Sequence, residues 1–258
     1  MKKRAILIWG PAEGLQACGE NGAGRLLEPL QLVELTENFF NRRELLKDRQ
    51  ILITAGPTRE DIDPVRFISN RSSGKMGYAV AQAAQQAGGR VILVSGSTNL
   101  MPPIGVEFVS VYSAQDMFDA VIKNLVKTDI YIGTAAVADY RPKNPVDQKI
   151  KKNQSTMCIE LERTPDILMH VANASPRPFT VGFAAETQNV EAYALSKLQQ
   201  KNLDMIAANQ VGLSNQGFDS DNNALTVFWR DGHVELPHTS KIELAQHLIT
   251  LIAKQCNP

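Results

Sequence analysis

From residue 50 onward, short β-branched runs alternate with amphipathic segments of helix length, and this alternation constrains the fold more than any other feature of the chain. Ile51–Thr54 and Ile130–Gly133 are continuous apolar runs, the pattern of strands buried on both faces of a parallel sheet. Val91–Val94, Glu107–Val111, Thr180–Phe183 and Met205–Ala208 extend the series. Between the strands, Lys75–Gln86 carries alanine and methionine at helical spacing and stops ahead of Gly88–Gly89. Ser113 and Asp116 have the spacing of a capping box and predict a helix over 114–126. Further helices are predicted near 189–200 and over 240–254. Ala224–Trp229, the turn Asp231–Gly232 and His233–Leu236 read as a hairpin. Strands separated by helices imply an α/β doubly wound sheet, here with a small β-hairpin extension, and ligands of such sheets sit beyond the carboxyl ends of the strands.

Residues 1–45 do not share this pattern. A Gly-rich stretch, GPAEGLQACGENGAGRLLEP, leads into a helical pattern at Leu30, Val33, Leu35, Phe39 and Phe40. The charged segment Asn41–Arg49 reads as a helix end and linker, so a division into 1–45 and 46–258 is expected. The three cysteines, Cys18, Cys158 and Cys256, match neither a disulfide framework nor a CxxC metal pattern, which fits a reducing cytoplasm. The apolar run behind the N-terminal basic residues spans only Ala5 to Trp9, too short for a signal peptide, and no stretch approaches transmembrane length. Lys plus Arg number 27 and Asp plus Glu 27, a net charge of zero. Bulk charge therefore points to neither a nucleic-acid nor a membrane partner, and any anion site must be local.

Chemistry-bearing segments fall at the predicted strand ends. The first strand runs into Ala55-Gly56-Pro57-Thr58, either an ordinary βα turn or the place where a Rossmann-like sheet approaches a phosphate. Arg66, Asn70, Ser72, Ser73, Gly74 and Lys75 then lead into a helix, as an anion cradle or as a plain capped start. After Ile130–Gly133 come small residues that include Ala135, then Asp139, placed to hold a ribose hydroxyl or a metal ion. Lys149, Lys151 and Lys152 form a solvated face or a triphosphate clamp. Pro165, Asp166, Ile167 and Leu168 form a turn at a strand end, and Phe183 is a core residue or a base-stacking one. Lys197 and Lys201, four apart on one helix, are spaced to reach the same phosphates. Asp219–Asn223 reads as a turn, with a metal site as the alternative, and the sequence assigns no metal ligand.

In order, ITAGPTRE, DPVRFISNRSSGKMG, AAVADYRP, KIKK, PDIL, GFAAET and DSDNNAL closely resemble bacterial phosphopantothenoylcysteine synthetase, the second half of a bifunctional coenzyme A biosynthesis protein, over roughly residues 46 to 254. The resemblance implies CTP-dependent ligation of 4'-phosphopantothenate to cysteine through an acyl-cytidylate, with Mg²⁺ as cofactor and a cytoplasmic homodimer. It places Lys149 in the activation step. Asp139, Lys149, Pro165 to Leu168, Phe183, Lys197 and Lys201 are implied to hold CTP, and Arg66, Asn70 and Ala135 to serve the acyl-cytidylate. The stretch GLQACGENGAGRLLEP resembles the tail of the flavin-dependent decarboxylase that precedes the ligase, with Cys18 on its proton donor. The flavin site and histidine base of that enzyme would lie upstream of Met1. The chain is thus expected to be a truncated bifunctional protein, with FMN and decarboxylation only where that part is present.

The main rival is an NAD(P)-dependent oxidoreductase on the same sheet. It needs a GxGxxG turn with an acidic residue about 20 positions later, and AGPTRE lacks the second and third glycines.

Overall fold

The computed structural model describes residues 9–15, 21–40, 44–151, 155–186, 188–210 and 220–256. The chain forms two compact units, 1–43 and 44–258. In the first, strands β1 (Ala12–Leu15) and β2 (Asn21–Arg25) pair antiparallel, followed by helix α1 (Pro29–Phe40).

The second unit begins with β3 (Gln50–Ala55), the hairpin β4 (Arg59–Asp63) and β5 (Arg66–Ser69), and helix α2 (Lys75–Gln86). Then come β6 (Arg90–Ser95), β7 (Glu107–Ser110), α3 (Ala114–Leu125), β8 (Ile130–Gly133), β9 (Tyr140–Pro142), β10 (Leu161–Arg163) and α4 (Ile167–Ala172). The chain continues through β11 (Phe179–Glu186), α5 (Val190–Gln200), β12 (Met205–Gln210), β13 (Asn222–Trp229), β14 (Gly232–Ser240) and α6 (Lys241–Cys256).

Eight strands form one sheet in the order β7-β6-β3-β8-β11-β12-β13-β14. The first six are parallel, and numbered by their own succession they run 3-2-1-4-5-6, the doubly wound order of a Rossmann-like sheet. The order reverses between β3 and β8, so a crevice opens beyond their carboxyl ends. The hairpin β13–β14 adds antiparallel to β12, as the strand–turn–strand pattern predicted.

Period-2 alternation decides which residues meet which helices. Ile51, Ile53 and Ala55 of β3 pack with Val80, Ala81 and Ala84 of α2, in a cluster that also holds Leu244, Leu248 and Ile252 of α6. Leu52 points the other way, into a cluster with Met117, Val121 and Leu125 of α3. Ile206 and Ala208 of β12 meet Ala194 and Leu198 of α5 on that second face. Each fully buried aliphatic side chain contributes about 1.5–3 kcal/mol, which anchors the strand ends that carry the site.

Helix α2 has its predicted bounds. Ala87 is its C-cap, and Gly88, at φ 89°, follows it in the left-handed region. The capping box of α3 is formed: Ser113 Oγ accepts from the Asp116 N–H, and the Asp116 carboxylate accepts from the Ser113 N–H. Three elements depart from the sequence expectation. Residues 59–69 and 140–163 contribute the small hairpins β4–β5 and β9–β10, and the Pro165–Leu168 turn continues into α4.

Candidate active site at the sheet reversal

Beyond β3 and β8, small residues let backbone segments approach closely. Gly74 adopts φ 76° at the N-cap of α2, and a Cβ there would lie 2.7 Å from the Thr98 methyl. A Cβ on Gly77 would lie 2.3 Å from Thr134 Oγ1 and 2.5 Å from the Ala55 Cβ, so only glycine lets α2 start this close to both strands. The loop after β8 is fixed by hydrogen bonds: the Ala136 N–H donates to the Gly56 carbonyl at 2.9 Å, and the Ala138 N–H to Thr58 Oγ1 at 3.0 Å. The Thr164 hydroxyl donates to the Ala138 carbonyl at 2.6 Å, which joins this loop to the segment ahead of α4.

Two adjoining cavities occupy the crevice. The first, about 500 Å³, is lined by Asp139, the Pro165–Leu168 segment, Lys201, Ala135, Val137 and Phe183. Asp166 is the N-cap of α4: one carboxylate oxygen accepts from the Met169 N–H at 3.0 Å, and the other lies 2.9 Å from Lys201 Nζ. At the floor, the Tyr131 hydroxyl sits 3.3 Å from Thr54 Oγ1, and burial pushes its phenol well above the usual range. Asp139 is exposed at the rim.

The second cavity, about 450 Å³, is lined by Asn70 and the start of α2, and shares Ala135, Val137 and Phe183 with the first. Asn70 Nδ2 donates to the Val137 carbonyl at 2.9 Å. Ser72 Oγ accepts from the Gly74 N–H at 3.3 Å, and Lys75 Nζ lies 2.6 Å from Asp221, holding that carboxyl below its ordinary value. Lys197 lines this cavity 2.7 Å from Glu186. Lys197 and Lys201 thus divide between the two cavities, each beside its own carboxylate, where the i, i+4 spacing alone suggested one shared target.

Arg66 and Lys149 line neither cavity. The Arg66 guanidinium grips Asp63 from two nitrogens and donates to the Ile150 carbonyl at 3.2 Å. Lys149 and Lys151 are exposed on the segment that follows. Cys18, Lys152 and Asp219 lie outside the described residues; Asn222 and Asn223 open β13, so that part of the expected turn is strand. Among the described residues no cluster of His, Cys, Asp or Glu offers three donors to a metal.

Sequence reasoning missed Asn209 and Lys241 and read Asn223 only within a turn; the three line the second cavity from β12, the start of α6 and β13. Lys241 is only 6% exposed, and a lysine at a helix start carries no sequence signal of burial.

The family model described as DNA/pantothenate metabolism flavoprotein C-terminal domain matches residues 46–256. The chain is 54% identical to the coenzyme A biosynthesis bifunctional protein CoaBC of Vibrio cholerae over 256 residues, covering 98% of this chain and 64% of that protein. The corresponding protein of Escherichia coli strain K12 is 49% identical over 253 residues, covering 96% of this chain and 62% of the relative. The chain thus spans somewhat less than two thirds of these relatives. Among solved structures, the C-terminal domain of coenzyme A biosynthesis bifunctional protein CoaBC superposes with a TM-score of 0.70 at 48% identity, covering 82% of this chain and 97% of that one. With the family model matched over nearly all of its second unit, the chain belongs to the family of the DNA/pantothenate metabolism flavoprotein C-terminal domain.

Proposed function

We propose that the second unit is a phosphopantothenate–cysteine ligase of coenzyme A biosynthesis, which joins 4'-phosphopantothenate to L-cysteine at the cost of CTP. One observation carries the reading: two cavities meet at the sheet reversal over a shared wall of Ala135, Val137 and Phe183. A two-step ligation needs such a pair, one site for the nucleotide and one for the acid it activates. The relatives' printed role in coenzyme A biosynthesis supports this assignment over hydride transfer.

In this reading CTP occupies the first cavity, held by Asp139, the Pro165–Leu168 segment, Phe183 and Lys201. The acid enters the second cavity with its carboxylate at the shared wall, near Asn70 and Ala135. A carboxylate oxygen attacks the α-phosphorus, the bond to the bridging oxygen breaks, and pyrophosphate leaves with that electron pair. The cysteine amine then attacks the acyl carbon, loses a proton, and CMP departs. Lys197, reaching in from the second cavity, and Lys149, exposed on the neighbouring segment, would bring positive charge to the departing phosphates. Asn70 offers an amide donor to the tetrahedral oxyanion without adding net charge.

Mg²⁺ fits as a companion of the triphosphate rather than as a resident of a protein cage, since Mg²⁺ keeps several waters and is held through one or two carboxylates. Asp139, exposed at the rim of the first cavity, would be the carboxylate for that contact, and the ion would neutralise charge on the phosphate oxygens. We further propose a cytoplasmic homodimer with no nucleic-acid or membrane partner. No helix among the described residues is long and apolar enough to cross a membrane.

Residues 1–45 are read as the C-terminal segment of the decarboxylase with its linker. Alignment of 256 residues to a protein printed as bifunctional supports this. FMN belongs to that activity, and no step above passes through it. The test of the ligase reading is a quenched mixture of protein, CTP, Mg²⁺ and 4'-phosphopantothenate without cysteine. Mass spectrometry is expected to find the acyl-cytidylate; its absence at every reaction time rejects the reading.

A further inference from the structure

We infer that Asp63 is a positioning residue that sets Lys149 in place by mooring the segment that carries it; the inference rests on the ligase reading above. Asp63 is 1% exposed although it sits at the end of a short, highly charged hairpin strand. Burying a carboxylate is costly unless its oxygens are satisfied, and here both are. One oxygen accepts from the N–H groups of Val65 and Arg66, each at 2.9 Å, which closes the β4–β5 turn. The other accepts from the Arg66 guanidinium and from the Ile150 N–H at 3.1 Å. Arg66 completes the ring by donating to the Ile150 carbonyl.

Both backbone polar groups of Ile150 are therefore held by one ion pair, the buried Asp63 carboxylate and the half-exposed Arg66 guanidinium, 87 and 84 residues away in sequence. A second mooring lies four residues earlier, where the Val146 N–H donates to the Ile62 carbonyl at 3.2 Å. Lys149 lies between the two, exposed and adjacent to the clamped residue. A lysine side chain carries about 2 kcal/mol of rotamer entropy, so fixing the backbone beneath it is the available means of aiming its charge. This accounts for Arg66 lining neither cavity although the family resemblance gives it a role: it acts through the segment that carries Lys149. The hydrogen bonds from Arg66 hold the Asp63 carboxyl far below the usual carboxylate range, so the clamp stays charged at working pH.

Asp63→Asn is the informative change. The carboxamide has a single acceptor oxygen, so whichever way it turns, either the turn amides or the Arg66–Ile150 pair face an N–H group. The experiment is a thermodynamic cycle on single-turnover pyrophosphate release with saturating CTP and 4'-phosphopantothenate. Asp63→Asn is expected to slow release about tenfold or more in the parent. In the Lys149→Gln background it is expected to change the rate by less than about twofold, because the group it positions is already gone. Tryptic cleavage after Lys149 and Lys151 should also quicken.

A parental rate in Asp63→Asn overturns the inference. So does an equal slowing in both backgrounds, which is what general destabilisation gives. Should Asp63→Asn not fold, Arg66→Lys, which keeps the buried carboxylate and loses the two-pronged grip, goes through the same cycle with the same expected and contrary results. Failure of the unmodified protein to release pyrophosphate is a different result and rejects the ligase reading itself.

Discussion

The side-chain amide of Asn70 donates to the main-chain carbonyl of Val137 at 2.9 Å, tying the segment ahead of α2 to the loop that walls both cavities. Asn70→Asp places a carboxylate against that carbonyl and a negative charge where the second step develops an oxyanion. The variant is expected to release about one equivalent of pyrophosphate and then stall, with turnover to the cysteine adduct lowered about 10² to 10³-fold. Parental turnover of cysteine rules Asn70 out of the second step, and loss of the pyrophosphate burst moves it to the first.

Lys241, only 6% exposed, lines the second cavity together with Asn223. The acid's distal phosphate is the anion that such a charge would meet. A charge-assisted hydrogen bond contributes about 1.5–3 kcal/mol, so Lys241→Met is expected to raise the KM for 4'-phosphopantothenate at least about tenfold. The KM for CTP should change by less than about twofold. A rise in the CTP value alone would assign Lys241 to the nucleotide instead.

Gly77 tests the close approach that forms the crevice. Its added Cβ would collide with Thr134 Oγ1 and Ala55, both on anchored backbone. Gly77→Ala is expected to destabilise the protein by about 1–3 kcal/mol, measured by urea unfolding. An unchanged midpoint would mean that α2 can move off the sheet.

Glu60 is 4% exposed, and its carboxylate accepts from the Ala114 N–H at 2.8 Å. Burial raises its pKa above the ordinary value, more than the Ala114 and Thr58 hydrogen bonds lower it. Folding therefore favours the protonated form. The associated stability is present at low pH and is lost as pH rises through the folded pKa. Glu60→Gln, neutral throughout and still an acceptor, is expected to melt higher than the parent at about pH 8, with the gap closing toward about pH 4. A gap independent of pH contradicts this assignment.

The parallel strands were legible in the sequence because strands buried on both faces read as unbroken apolar runs, as Ile51–Thr54 and Ile130–Gly133 do. The β13–β14 hairpin was legible from Asp231–Gly232, and α3 from Ser113 and Asp116. The hairpin β4–β5 was not, because its inward positions are Glu60 and Asp63, carboxylates whose partners Ala114, Arg66 and Ile150 are supplied by tertiary structure. The motif segments at the strand ends marked the crevice, but not how its lysines are shared out. Spacing showed that Lys197 and Lys201 are neighbours; only the fold sets Glu186 beside one and Asp166 beside the other. Lys241 was invisible for the same reason, since a lysine at a helix start carries no sequence signal of burial.

The central claim is that this unit activates a carboxylate with CTP before cysteine takes part. The most direct measurement is a time course of pyrophosphate and CMP, with CTP, Mg²⁺ and 4'-phosphopantothenate present and cysteine added only after a delay. The account expects about one equivalent of pyrophosphate per site at once, no CMP during the delay, and release of CMP on addition of the amine. Absence of pyrophosphate until cysteine arrives, or its absence throughout, would contradict it.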